Sequence, residues 1–391
     1  MYKMNKFLAV ESIRGVACLM VVFSHLSYTF FPYLHAFNGK ADPNINGIQY
    51  FIHESPFAFF FSGSAAVYMF FVLSGFILTK VALSHSSSPQ KIFSMSIKRY
   101  PRLMIPALTS CLIAFLFFLI FDITSPNLGE WINKYGAGEY SFFGAMYSGL
   151  IDVFFVSGQS AYNPVLWTMK IELIGSFVIY LICLNHLVFK IKYFPIMVLF
   201  LIISLIGLKW IENSLGLGLL SFYGGYAFSI YGKKIPGVVA FPVLALGIYL
   251  AGAHNDSGSY SFLSSLLGQK IYIACNFFAG FIVVYAILFN ASLIKLFSGR
   301  LTVFMGKVSF SVYLIHMPIL STLGVYLFEA VYSYSGMYGL SAITSSILTV
   351  LFIYLVSTVF YSQVDVRGML ISKYLSDVVI KKIKPNGHSS V

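Results

Sequence analysis

The sequence is poor in charged residues. Asp, Glu, Lys and Arg make up only 10% of its 391 residues, 58% of the residues are hydrophobic, and the mean hydropathy is +0.83. Soluble domains carry about 25% charged residues. So few charges cannot cover the surface of a soluble protein of this length. The composition therefore predicts an all-α, polytopic membrane protein.

Cysteine and acidic residues are also scarce. Each of the four cysteines lies inside an apolar run, without the paired spacing of a metal site, so no metal is expected. The 13 Asp and Glu residues leave a net charge of +12. The basic residues are scattered among short loops and form no single patch, so we expect membrane lipids and no nucleic acid as partners.

Ten segments approach the length of about 20 apolar residues that a membrane-spanning helix needs. The predicted spans are 8–30, 58–79, 103–121, 165–185, 194–211, 214–231, 236–252, 271–289, 308–328 and 338–361. Most Lys and Arg residues lie at the N-terminal end, in alternate loops and in the C-terminal tail, so the positive-inside rule places both termini in the cytoplasm. We expect a bundle of about ten transmembrane helices over 1–365 and a short basic cytoplasmic tail over 366–391. The segment 141–156 is short and is expected to be interfacial or re-entrant.

The first span carries three charged or titratable residues, Glu11, Arg14 and His25. Such residues are expensive inside a membrane and mark candidate functional sites. Arg14 and His25 are eleven residues apart, which places both on one helical face about 16 Å apart. Glu11 precedes Arg14 by three residues and can pair with it. We predict that His25 is catalytic, that Arg14 acts with it, and that Glu11 supports Arg14.

Glu172 is the second anomaly, because it lies within the span 165–185. Counted from the outer end of that span, it lies about 10 Å deep, which is the depth expected for His25. A carboxylate beside an imidazole fixes its tautomer and raises its basicity, so that the imidazole can take a proton from a hydroxyl. We predict a catalytic Glu172 in contact with His25. The alternative is a buried pair that only holds two helices together.

A basic cluster of Lys98, Arg99 and Arg102 precedes the third predicted span. Arg99 and Arg102 share a helical face, and arginine binds phosphate through paired N–H groups. We interpret the cluster as a site for a phosphorylated cytoplasmic cofactor, with a plain topology signal as the alternative. His316 and Ser74 are further supporting candidates, for which helix packing is the alternative.

Five motifs follow one another along the chain. They are FLAVESIRGVACLMVVFSHL at 7–26, FFVLSGFILT at 70–79, KRYPRLMIP at 98–106, LWTMKIE at 166–172, with Trp167 as a supporting candidate, and SFSVYLIHMP at 309–318. On a ten-span layout, this set resembles the integral-membrane acyltransferase family 3 of bacterial envelopes. The resemblance runs to about residue 361, with Met169 in place of a leucine of the family pattern.

The resemblance implies transfer of an acyl group, most often acetyl, from cytoplasmic acyl-CoA to a hydroxyl of an envelope glycan or lipid-linked glycan. It makes His25 catalytic and Arg14 essential or supporting, and it implies that Arg99 and Arg102 face the donor phosphates. We therefore expect an acetyl-CoA-dependent O-acetyltransferase of O-antigen or capsule in the bacterial cytoplasmic membrane. A general-base role and an acyl-histidine intermediate are both open.

Two other functional classes remain as alternatives. A secondary transporter would use intramembrane His, Glu and Arg residues as a proton relay, but the sequence shows no paired broken helices in matching halves. A scaffold or flippase partner would leave the shared helical face of Arg14 and His25 unexplained. Turnover of acyl-CoA in detergent, without any gradient, separates the enzyme from the transporter.

Overall fold

The computed structural model describes residues 2–35, 47–121, 124–135 and 140–383, and every regular element in these ranges is helical. The α-helices are α1 (Tyr2–Phe30), α2 (Gly47–Glu54), α3 (Gly63–Ala82), α4 (Pro89–Ile120), α5 (Glu130–Asn133), α6 (Phe142–Tyr147), α7 (Val153–Phe155), α8 (Thr168–Leu184), α9 (Phe194–Gly207), α10 (Asn213–Tyr231), α11 (Gly237–Ala251), α12 (Ser261–Leu267), α13 (Ile271–Leu288), α14 (Ala291–Leu296), α15 (Arg300–Ile319), α16 (Val325–Ser335), α17 (Tyr338–Phe360) and α18 (Val366–Ile383). Short 3₁₀ or π turns continue several of them.

Seven helical segments of the described chain are long and apolar enough to cross a membrane. They are Lys6–Phe30, Gly63–Ala82, Pro89–Ile120, Pro164–Phe189, Gly258–Leu288, Arg300–Ser335 and Tyr338–Lys382. The predicted helical membrane bundle is thereby confirmed. The other three predicted spans coincide with α9, α10 and α11, of which α9 and α11 are apolar but shorter.

The helix that contains the third predicted span starts well before it, because α4 begins at Pro89 and the predicted span at 103. The side chain of Ser88 accepts a hydrogen bond from the Lys91 backbone N–H, and proline fits the first turn of a helix. The basic cluster from Lys98 to Arg102 therefore lies on the helix itself, more than two turns from its N-terminus. Its side chains can point into the bundle.

The last predicted span continues beyond residue 361. A π turn at Tyr361–Asp365 leads directly into α18, which packs along α4. Ser372 and Ser376 are buried on this side, and the Ser376 hydroxyl lies 3.0 Å from that of Ser94. Most of the expected basic tail is thus a helix packed on the bundle, while residues 384–391 lie outside the described residues. The division of the chain at 365 stays a prediction.

The seam between α1 and α15 sets the level of the two intramembrane histidines. Contacts recur about every seven residues along both helices, at Ser12 with Thr302, Cys18 with Ser309 and His25 with His316. A seven-residue repeat is the seam of two helices that wind around each other. At Gly306, an added Cβ would lie 1.9 Å from the Glu11 carbonyl oxygen, so only glycine allows this close approach.

The segment before α8 enters the interior of the bundle. Residues 141–156 form α6, a π turn and α7, which pack against α4. The buried Asn163 amide then donates to the Ser110 hydroxyl at 3.1 Å and to the Leu314 carbonyl oxygen at 2.7 Å. Because Ser110 lies well inside α4, α8 starts among the helices and not at the outer surface.

Candidate active site

His25 of α1 and His316 of α15 lie side by side where these two helices pack against each other. His25 Nδ1 lies 3.0 Å from His316 Nε2, and the ring centroids are 5.1 Å apart. His316 is fully buried, whereas His25 is half-buried. The second nitrogen of His316, Nδ1, lies 3.1 Å from the Val312 carbonyl oxygen. A catalytic candidate and a supporting candidate from distant parts of the sequence thus share one site.

The hydrogen bonds assign the neutral tautomers of both rings. A carbonyl oxygen only accepts, so His316 Nδ1 carries the proton and donates to Val312. His316 Nε2 is then an acceptor, and His25 donates to it from Nδ1. The remaining nitrogen of His25, Nε2, is therefore unprotonated. An imidazole held in this tautomer can accept a proton or attack an acyl carbon.

The predicted contact between His25 and Glu172 is wrong. Glu172 Oε2 lies 2.5 Å from Arg99 Nη2, and Oε1 accepts a hydrogen bond of 2.9 Å from Ser74. The depth count failed because α8 begins inside the bundle, which places Glu172 further from the outer surface than a helix starting there would. His316 occupies the tautomer-fixing position that the sequence assigned to the carboxylate.

A cavity of about 310 Å³ lies on the Arg14 side of the histidines and is lined by α1, α3, α4, α8 and α15. Its charged and polar lining includes Glu11, Arg14, Ser74, Arg99, Arg102, Thr168, Glu172, Ser309 and Tyr313. Of the six residues predicted as catalytic or cofactor-binding, four line it, namely Arg14, Arg99, Arg102 and Glu172, whereas His25 and Lys98 do not. We call this space the inner cavity.

The three arginines of the inner cavity are neutralised to different degrees. Arg99 is paired closely with Glu172, both side chains being mostly buried, yet the Arg99 Nε is buried without a hydrogen-bond partner among the described residues. Arg102 pairs with Asp365 of the last π turn. Arg14 lies 3.5 Å from Glu11, and about a third of each side chain is exposed. Arg14 and the Arg99 Nε therefore retain N–H groups for a ligand.

Two other predicted residues lie outside the inner cavity. Lys98 is half-buried on α4 but does not line the cavity, and Trp167 is 37% exposed in the 3₁₀ turn before α8. Ser74, by contrast, lines the cavity and holds Glu172 in place. The structure thus brings the predicted arginines together with Glu11, Ser74 and Glu172.

Tyr313 separates the inner cavity from the histidine pair. It lines the cavity, and its ring centroid lies 6.0 Å from that of His316. Its hydroxyl donates to the Val165 carbonyl oxygen at 2.9 Å and lies 3.1 Å from the Thr168 hydroxyl. These bonds fix the ring between the arginines and the histidines.

Aromatic residues that sequence reasoning missed cover the other side of His25. Trp131 of α5 lies parallel to the His25 ring, with centroids 5.8 Å apart and an interplanar angle of 4°. Tyr28 packs against the same indole at 4.8 Å. Trp131 is one of only three tryptophans in the chain and lies in a polar outer loop, which is the signal that could have found it.

A family model described as "Acyltransferase domain" matches residues 7–362. This range contains both histidines, the three arginines of the inner cavity and Trp131. No curated protein and no solved structure matches the chain. Within the described ranges, no group of three or more His, Cys, Asp or Glu side chains is arranged to hold a metal ion.

Proposed function

Because the chain belongs to acyltransferase family 3, we propose that it transfers an acetyl group from cytoplasmic acetyl-CoA to a hydroxyl of a cell-surface polysaccharide such as O-antigen or capsule. It is a multi-pass membrane acyltransferase, and we place it in the bacterial cytoplasmic membrane. The observation that carries the proposal is the pair of His25 and His316, which leaves an unprotonated nitrogen on the same α1–α15 seam that lines the arginine-containing inner cavity.

The inner cavity is the proposed donor site. Its volume of about 310 Å³ is at the lower end of the range of about 300–1,000 Å³ for ligand pockets. It therefore suits the narrow acyl-pantetheine arm better than the whole of acetyl-CoA, whose nucleotide would stay outside. Arg14 and the Arg99 Nε offer N–H groups to the donor.

Two routes lead from this arrangement to the ester. In the first, His25 Nε2 takes the proton of the acceptor hydroxyl while its oxygen attacks the thioester carbonyl; the C–S bond then breaks, and the proton passes from His25 to the departing CoA sulfur. In the second, Nε2 attacks the thioester carbonyl and the C–S bond breaks, so that CoA leaves as the thiolate and an acyl-imidazolium forms. The acceptor oxygen then attacks the acyl carbon, the N–acyl bond breaks, and the hydroxyl proton passes through the freed Nε2 to the thiolate. In both routes, the hydrogen bond to His316 leaves Nε2 of His25 unprotonated at the start of the reaction.

The test compares surface glycans from cells that lack the gene, carry it, or carry a His25→Ala copy. We expect an acetyl ester mass only with the intact protein, because the variant has no group that takes the hydroxyl proton. His85→Ala is the matched control, since His85 is an exposed histidine between α3 and α4. Membrane levels of all copies are measured on blots.

Purified protein in detergent provides the second arm of the test. Acetyl-CoA turnover without any gradient, abolished by His25→Ala and retained by His85→Ala, is the expected result. Unchanged glycans together with no turnover by the wild-type protein would refute the proposal and favour the transporter. Full activity of His25→Ala would refute the assignment of His25.

A further inference from the structure

A second cavity lies beyond His25, on the side opposite the inner cavity. It has a volume of about 250 Å³ and lies between the end of α1 with the turn that follows it and the short helix α5. Tyr28, Thr29 and Trp131 are among its lining residues. Thr29 also donates from its hydroxyl to the His25 carbonyl oxygen at 2.8 Å, so the cavity begins one helical turn from the histidine. We call it the outer cavity.

Trp131 is the shared wall between the outer cavity and His25. The indole lines the cavity and at the same time lies parallel to the His25 imidazole at 5.8 Å. Tyr28 contacts the indole from α1 and also lines the cavity. A molecule in the outer cavity therefore touches the same aromatic ring that covers the catalytic candidate.

The wall is held in place by a network of hydrogen bonds. The Asn133 side chain accepts from the Ser125 N–H at 2.8 Å and donates to the carbonyl oxygens of Ser125 and Leu128. Ser125 and Asn127 in turn donate to the Glu329 carboxylate of α16. The loop that carries Trp131 is thus held together by its own hydrogen bonds and attached to the bundle at Glu329.

The chemistry of the outer cavity fits a sugar ring. Aromatic side chains offer flat apolar faces on which the C–H face of a pyranose packs. Glu130 and Lys134, both exposed at the cavity, offer one acceptor group and one donor group to the hydroxyls at the edge of the ring. Their charges are opposite, which favours a neutral sugar over a polyanion. The volume, below that of drug-sized pockets, suits one sugar unit of a longer chain.

We infer that the outer cavity binds one sugar unit of the acceptor glycan, with Trp131 as the stacking platform and as the partition that keeps water from His25. The inference rests on the proposed function, because it supplies the acceptor for that reaction. Trp131 is a positioning residue here, since it acts through the placement of the acceptor and the exclusion of water.

The kinetic test uses Trp131→Ala and Trp131→Phe in purified full-length protein, with radiolabelled acetyl-CoA and surface polysaccharide de-esterified with mild base. Loss of the platform raises the KM for the polysaccharide about tenfold or more and leaves the KM for acetyl-CoA within about twofold. Without polysaccharide, Trp131→Ala hydrolyses acetyl-CoA several-fold faster than the wild type, because water reaches His25. Trp131→Phe retains most of the wild-type behaviour.

Trp210→Ala is the matched control, because Trp210 is 76% exposed and lies between α9 and α10. An unchanged KM for polysaccharide together with unchanged hydrolysis in Trp131→Ala would overturn the inference. So would an equal rise in the KM for both substrates, which a merely structural role would give.

A binding measurement separates this inference from the proposed function. In a Trp167→Phe, Trp210→Phe protein, Trp131 is the only tryptophan. Its fluorescence should change saturably with de-esterified polysaccharide in the absence of acetyl-CoA, and a Lys134→Gln copy should bind more weakly. A flat titration would overturn the site. Wild-type protein that binds polysaccharide but never turns over acetyl-CoA would instead refute the proposed function and leave the sugar site standing.

Discussion

Replacing His316 tests the proposed tautomer arrangement directly. His316→Leu removes the acceptor for the His25 Nδ1–H while keeping an apolar side chain of similar size in a fully buried position. His316→Gln removes the imidazole but keeps a carbonyl oxygen that can accept from His25. The two variants differ chiefly in whether His25 Nδ1 still has an acceptor.

The size of the effect follows from the hydrogen bond. A neutral hydrogen bond contributes about 0.5–1.5 kcal/mol, which shifts the tautomer population of His25 about two- to tenfold. Loss of the ring orientation adds to this, so kcat of His316→Leu should fall about 10- to 100-fold. A general base as a whole contributes about 10²–10⁴-fold, so His25→Ala should be at least as impaired as His316→Leu. His316→Gln should lie between His316→Leu and the wild type.

The assay is acetyl transfer to de-esterified polysaccharide by protein in detergent, with kcat and both KM values determined. The KM for acetyl-CoA should stay near the wild-type value in both variants, because His316 does not line the inner cavity. Wild-type kcat in His316→Leu would refute the reasoning. Equal losses in His316→Gln and His316→Leu would show that the acceptor at this position is not what matters.

Three further predictions test the donor site, the helix seam and the outer loops. Arg99→Gln should raise the KM for acetyl-CoA about tenfold and lower the melting temperature, because breaking a buried ion pair costs about 3–5 kcal/mol; Arg99→Lys, assayed in parallel, should lose less. Gly306→Ala should reduce the yield of monodisperse protein in size-exclusion chromatography, because its Cβ would meet the Glu11 carbonyl oxygen, whereas Gly339→Ala, with open space around it, should not. Burial and the neighbouring His53 lower the pKa of His254 to about 4; since the unfolded chain takes up this proton near pH 6.5, the melting temperature should fall as the pH drops from 6.5 to 4, and less so in His254→Gln.

Much of the bundle could be predicted from the sequence, because a membrane imposes a length and a composition on each span. Each of the ten predicted segments overlaps a helix. The errors lie at helix ends, where local chemistry decides. The cap at Ser88 extends α4 over the basic cluster, and the buried serines Ser372 and Ser376 extend helical packing beyond the predicted end at 361.

The sequence predicts which site residues share a face of one helix, but not which residues of two different helices come into contact. Helical spacing put Arg14 and His25 on one face, and they lie toward opposite ends of the site as that spacing requires. The partner of His25 depends on how α1 and α15 cross, which no single span reveals. The one hint is a matching spacing on the two helices. Thr302, Ser309 and His316 recur every seven residues on α15, about as Ser12, Cys18 and His25 do on α1, and this spacing brings His316, and not Glu172, to His25.

The order of groups along the α1–α15 seam supports the proposed passage of an acetyl group from a donor on one side of the histidines to an acceptor on the other. Tyr313 stands between the inner cavity and the histidines, and Trp131 stands between the histidines and the outer cavity. Hydrogen bonds hold the Tyr313 ring, and Tyr28 packs against the Trp131 indole. In the proposed reaction, the histidine pair is therefore the one point at which donor and acceptor meet, and opening either partition should uncouple transfer before it abolishes binding.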